Sequence, residues 1–253
     1  MSSTTEYLPG SEPVSADNGP VGVVLSHGFT GTPASLRPWA EHLAAAGYSV
    51  RLPRLPGHGT TWQHMNRTTW DEWFGAVDQA YAELAARCAQ VFAGGLSMGA
   101  GLVTRLAEEH HEISGLVLVN PALATRRFDA KFARYVAWAL KSQKGIGSDI
   151  KSGAVENGYD RTPVRAFVSM QDGWRRTVAR LGEIWAPIQL YKSRVDHVVD
   201  DLTIELLHKL ATNTTIEQVW LEDSYHVATL DNDAQTIFDG SVEFIATHTT
   251  VAG

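Results

Sequence analysis

Cysteine is almost missing from this chain: Cys88 is the only one in 253 residues, so no intrachain disulfide can form. A reducing compartment is expected from that scarcity, with Cys88 as a buried structural thiol. Long apolar runs are missing too, and nothing approaches the roughly 18 residues that a membrane helix needs. The first twenty residues are polar, rich in Ser, Thr, Glu and Pro, and lack the basic start and apolar stretch of a secretory leader. The expectation is a soluble, cytoplasmic protein, with peripheral membrane contact left open. Positive charge is in deficit, 21 Lys and Arg against 28 Asp and Glu for a net −7, which argues against nucleic acid or anionic membrane as the main partner. Metal and nucleotide signatures are absent as well. His110-His111-Glu112 lacks the second histidine of a zinc helix, Gly145-Ile146-Gly147 follows no strand, and no Walker lysine motif occurs. Neither a metal nor a cofactor is expected.

What is present is an ordinary globular composition, 44% hydrophobic and 19% charged, in a chain long enough for one large core. Strand-like apolar runs recur at Val21–Leu25, Tyr48–Leu52, Val91–Ala93, Leu116–Val119, Ile188–Tyr191 and Ile216–Leu221. The clearest are continuous rather than alternating, as strands covered on both faces should be. Helical patterns lie between most of them, at Ala34–Ala46, Trp70–Cys88, Met98–His110 and Leu202–Leu210, with another at Ala234–Thr247. This alternation predicts an α/β fold with a mostly parallel central sheet and helices on both faces. Residues 121–184 interrupt it with helical and loop material and no convincing strand. They are expected to form a cap subdomain over the carboxyl edge of a core made of residues 1–120 and 185–253.

The densest chemical signal is Gly95-Leu96-Ser97-Met98-Gly99, between an apolar strand-like run and a helical stretch. G-x-S-x-G in that setting is a nucleophile elbow, a sharp turn with serine at its apex and small residues required two positions to either side. A serine hydroxyl needs a base, and a histidine base works best when an acid fixes its tautomer. Asp196 and His226 each fall just beyond a predicted strand, hence at the same sheet edge as Ser97, in the order Ser, Asp, His. His197 adjoins Asp196 and is expected to point elsewhere. Asp200 and Asp201 read as the start of a helix, and Asp223 is a further acid within reach. The oxyanion is assigned to two backbone N–H groups, that of Met98 and that of Phe29, with Gly28 allowing the tight turn. His27 is read as structural.

With these residues in view, the chain resembles bacterial monoacylglycerol lipases of the bacillus type, carboxylic ester hydrolases of the α/β-hydrolase superfamily. The resemblance is carried by His27-Gly28-Phe29-Thr30-Gly31-Thr32-Pro33, Gly57-His58-Gly59, the serine pentapeptide and Ser193-Arg194-Val195-Asp196-His197-Val198-Val199. Two more specific stretches are Ile146-Gly147-Ser148-Asp149-Ile150-Lys151 and the decamer Ser224–Asp233 around His226. It spans almost everything from Pro20 to His248. It implies an α/β-hydrolase with a helical cap inserted after the sixth strand, the triad Ser97, Asp196 and His226, and hydrolysis of a monoacylglycerol to glycerol and fatty acid. It also implies a small polar pocket for the glycerol head, where Glu156 would accept hydrogen bonds and Ile146 would limit the room. A solvated cap glutamate is the plainer account of Glu156.

The match weakens between Ala122 and Gly145, where Arg126, Arg127, Lys131, Arg134, Lys141 and Lys144 face a single Asp129. Apolar Phe128, Phe132, Tyr135, Val136 and Ala139 fall at helical spacing there. Such a basic amphipathic helix suits contact with lipid surfaces, or simply a cap helix with its apolar face over the acyl tunnel. Two other readings compete for the whole protein: a broad carboxylesterase for short and medium esters, and a non-catalytic ligand receptor on the same fold.

Overall fold

The computed structural model describes residues 7–127, 135, 137–138, 140–145 and 148–250. Seven strands form the central sheet: β1 (Val14–Ala16), β2 (Val21–Ser26), β3 (Ser49–Leu52), β4 (Gln90–Leu96), β5 (Leu116–Val119), β8 (Ile188–Ser193) and β9 (Ile216–Leu221). Their order is β1-β3-β2-β4-β5-β8-β9, parallel throughout except for β1, which pairs antiparallel with β3. The central strands β2, β5 and β8 are buried along their whole length, which explains their continuous apolar sequences. The edge strand β9 is only partly covered.

Helices α1 (Arg37–Ala45) and α7 (Ala234–His248) pack against each other on one side of the sheet. On the other side are α3 (Trp70–Ala85) and α4 (Met98–Glu109), joined by α5 (Val164–Val178). Thr69 caps α3: its hydroxyl accepts from Glu72 N–H and donates to the Glu72 carboxylate at 2.8 Å. Two further helices among the described residues are the single turn α2 (Trp62–Met65) and α6 (Leu202–Leu210). The core divides into two apolar clusters, one per face, with Trp70 and Trp73 fully buried in one and Trp39 in the other. Among the described residues no helix is long and apolar enough to cross a membrane.

Two expectations need correcting. Among the described residues the inserted segment follows the fifth strand in chain order, where the sixth was expected. Residues 7–13, ahead of β1, form a turn and a bend with no strand, where Pro9 and Pro13 lack ladder donors and Gly10 takes φ 77°. The inserted segment also does contain strands, the antiparallel pair β6 (Ser142–Lys144) and β7 (Arg161–Pro163). At three mostly polar residues each, these carry no hydrophobic pattern to read.

The chain leaves β2, crosses to β3 on one side, then returns to β4 on the other. That reversal opens a crevice at the carboxyl ends of β2 and β4, the position where ligands bind in open α/β sheets.

Candidate active site

Ser97 follows β4 directly and precedes α4, with φ 56° and ψ −120°, a conformation that ordinary residues avoid. Its backbone is held from three sides. Ser97 N–H donates to Val119 O at 2.9 Å, and Ser97 O accepts from Ala122 N–H at 3.1 Å and Gly101 N–H at 3.3 Å. Both motif glycines are sterically required. A Cβ on Gly95 would lie 2.5 Å from Gly99 C, and one on Gly99 would overlap the Ser26 carbonyl.

Across the crevice runs the loop after β2. Its strained residue is Thr30, at φ 64°, whose hydroxyl turns back to Phe29 O at 2.5 Å. The left-handed turn is therefore at Thr30 and not at Gly28, where an added Cβ would meet Ser97 Cβ at an ordinary 3.5 Å. His27 is fully buried outside the crevice: Nε2 accepts from Leu55 N–H at 3.2 Å, so Nδ1 carries the proton and faces Gly28 O at 3.0 Å.

His226 lies beyond β9, with Nδ1 3.0 Å from Asp196 Oδ2. Asp196, beyond β8, is almost wholly enclosed. Oδ1 accepts from Val198 and Val199 N–H at 2.9 Å each, and Oδ2 also accepts from Lys192 Nζ at 2.7 Å. Burial alone would raise the Asp196 carboxyl, but the neighbouring imidazole and ammonium prevail and hold it well below the usual carboxylate range. His197 turns away as expected, its Nδ1 2.8 Å from Asp149 Oδ1 and its ring against Tyr225. Asp200 receives Leu202 N–H at the start of α6, and Asp223 receives Lys151 Nζ, so neither faces His226.

One cavity brings Ser97, Met98, Phe29, His226 and Glu156 together, with Asp196 standing behind His226 rather than in its wall. Its wall holds apolar Phe167, Met170, Trp174 and Val198, with Phe167 edge-on to Phe29 and Trp174, and the carboxylates of Glu156 and Asp149 together with Arg127 and Lys144. Glu156 is partly exposed as a residue, yet its carboxylate turns inward. Burial pushes that carboxyl up, opposed by the His226 ring and by the nearby Ser35 hydroxyl. Gly31 makes room for it, since a Cβ there would stand 2.5 Å from Glu156 Oε1. Ile146 lies outside the described residues, as do Phe128, Lys131, Phe132, Arg134, Val136 and Ala139 of the basic segment.

Three residues at the site were given no role by the sequence. Asn120, at φ 42° after β5, donates to Ser193 Oγ at 2.9 Å and His226 O at 2.8 Å while accepting Ser193 N–H, so it ties three strand ends together. Asp149 accepts the backbone N–H groups of both His197 and His226, at 3.1 and 3.2 Å. Lys192 is buried against Asp196. Asn120 offered a clue in the turn-prone dipeptide Asn120-Pro121 at a strand end, and Asp149 lies in the hexamer that carries part of the resemblance.

Comparison with known proteins gives a consistent picture. Residues 21–151 match the family model described as serine aminopeptidase, S33. The chain is 42% identical to a thermostable monoacylglycerol lipase of Bacillus sp. (strain H-257), over 98% of this chain and 99% of that one. It is similar to a solved structure from work on the metagenome-derived lipolytic enzymes LipS and LipT, with TM-score 0.92 and 39% identity over 96% of this chain and 100% of that chain. The monoacylglycerol lipase of Paleococcus ferrophilus shares the fold at TM-score 0.75 and 20% identity, over 94% of this chain and 98% of that chain.

Proposed function

The chain belongs to the α/β-hydrolase family of serine aminopeptidase S33 type, alongside bacterial monoacylglycerol lipase, and from that premise we propose that it hydrolyses monoacylglycerols to glycerol and fatty acid through an acyl-enzyme on Ser97. His226 takes the Ser97 proton as the serine attacks the ester carbonyl, and Asp196 holds the imidazole in the tautomer that can do so. The N–H groups of Met98 and Phe29 receive the oxyanion, each donor contributing about 3 kcal/mol to the transition state. His226 then protonates the leaving glycerol, and a water activated by the same imidazole releases the acid.

The observation that carries this reading is a cavity that holds both an inward carboxylate and an apolar wall beside Ser97. A monoacylglycerol is an ester with a diol on one side and an apolar chain on the other. The cavity that holds Ser97 offers an inward carboxylate, Glu156, against Gly31, and an apolar group of Phe167, Met170 and Trp174 in which Phe167 packs on Phe29 and Trp174. Glu156 accepts the glycerol hydroxyls in this scheme, and a site built to bond a hydroxyl discriminates strongly against analogues lacking it. Ile146 belongs to the same proposal as the residue bounding the head-group pocket. Residues 121–184 act as the cap, since they supply Glu156 and most of the apolar wall.

The test is a set of initial rates on a monoacylglycerol, the matching di- and triacylglycerols and the methyl ester of the same acid, with Ser97→Ala as control. Preference for the monoacylglycerol that is lost in Glu156→Gln supports the full scheme. Equal or better rates on the methyl ester would make the protein a general carboxylesterase. Contact with lipid surfaces is proposed for the same cap, supported by Trp138 and Tyr135 at 82% and 68% exposure beside Lys141. Replacing both aromatics with alanine should weaken binding to anionic vesicles. Arg126 is a poorer probe, because it is already paired with Glu205 at 2.5 Å.

A further inference from the structure

A buried ammonium is tolerated only where its charge is answered. Lys192, on β8, has 1% of its side chain exposed, and Asp196 has 2%. Lys192 Nζ donates to Asp196 Oδ2 at 2.7 Å and to Val199 O at 3.0 Å, with Asp201 Oδ1 at 3.9 Å. Asp196 Oδ2 is the same oxygen that accepts His226 Nδ1 at 3.0 Å. Holding the carboxylate in place does not require this cation, because Oδ1 already receives two backbone N–H groups. What Lys192 adds is charge.

We propose that Lys192 is a positioning residue for ester hydrolysis that acts through Asp196 on His226: its ammonium shares the oxygen facing the imidazole, offsets part of the negative charge the ring feels, and keeps His226 a free base in more acidic solution than a lone aspartate would. The role rests on the serine-hydrolase reading above. It also has a consequence during acyl transfer. Asp196 is then negative, the imidazolium positive and the oxyanion negative, and Lys192 brings these buried charges to balance.

Other charged groups face the same ring and stay constant in the comparison that follows. Glu156 approaches from the cavity, and Asp149 accepts His226 N–H at 3.2 Å while its other oxygen holds His197. Arg127 and Lys144 line the cavity. On the far side Asp201 is near Lys192, whereas Asp200 is taken up by Thr125, Arg126 and Leu202.

The experiment measures kcat/KM against pH on a soluble ester for the wild type, Lys192→Met and Lys192→Gln, with Ser97→Ala alongside. A cation so close to an imidazole–carboxylate pair shifts proton affinity by about one unit or more. The acid limb of both Lys192 variants should therefore move to higher pH by about one unit. Lys192→Gln is neutral and one bond shorter but keeps a polar donor on the side of Val199 O, so it decides the matter should Lys192→Met fail to fold. A folded variant whose acid limb stays with the wild type, or moves to lower pH, overturns the proposal. Turnover that survives Ser97→Ala would instead remove the hydrolase reading itself, and the two failures are thereby told apart.

Discussion

Ser97 keeps a backbone conformation that costs a non-glycine residue about 1–3 kcal/mol, and it is tolerated because three backbone hydrogen bonds and two close-packed glycines leave it no alternative. The same substitution should consequently have opposite effects at two glycines. Gly99→Ala forces a methyl into the Ser26 carbonyl and should cost about 1–3 kcal/mol in urea unfolding, with ester turnover falling as the elbow shifts. Gly75 sits exposed inside α3 with nothing within 4 Å of an added Cβ. There Gly75→Ala should add about 0.5–1 kcal/mol and leave turnover alone. Equal effects at the two sites would refute the steric account. The elbow was readable in the sequence because its steric demands are met within five residues. Asn120 was not, because the groups it joins lie 73 and 106 residues away. Lys192 gave no warning either, since a lysine near a strand end normally reaches solvent.

Among larger units, the two most specific stretches of sequence turn out to be partners. The loop 148–152 and the decamer around His226 are stitched together by aspartates. Asp149 takes the N–H groups of His197 and His226, and Asp149 O accepts from Val227 N–H at 3.1 Å. Asp231 answers in the other direction, accepting Lys151, Ser152 and Tyr225 N–H at 2.7 to 2.9 Å. The inserted segment thereby fixes the loop that bears His226. Asp149→Ala should lower kcat/KM about ten- to a hundred-fold, as small misplacements of a general base do, while unfolding stability drops by only about 1–3 kcal/mol. Unchanged kcat/KM in a folded Asp149→Ala would show that the loop holds His226 without it. Sequence alone identified both stretches but not their contact. It likewise found the long buried strands and helices through their apolar periodicity. It missed β1, α2, β6 and β7, which have three or four residues each and no periodicity to detect.

Across the whole molecule, stability is bounded on the acid and alkaline sides by different buried groups. Burial pulls His27 down to about 4 and lowers His58 well below its ordinary value, so both are neutral in the fold. The unfolded chain binds those protons first, and stability falls as pH drops from about 6.5 towards 4. Glu108 works in the opposite sense. It is buried on α4, both carboxylate oxygens lack a hydrogen-bond partner among the described residues, and burial raises it to about 8, against weaker attraction from Arg180. Between about pH 4.5 and 8 the folded chain keeps a proton that the unfolded chain has released, so stability declines as pH rises through that window. The loss amounts to something on the order of 5 kcal/mol once the window is crossed. Glu108→Gln is isosteric and cannot ionise. Urea midpoints for wild type and variant should nearly coincide at pH 5, then diverge with the variant increasingly the more stable, until the gap stops growing above pH 8 to 9. Parallel profiles for the two proteins over pH 5 to 9 would mean that Glu108 finds a partner or a path to water, and the alkaline decline would have to come from elsewhere.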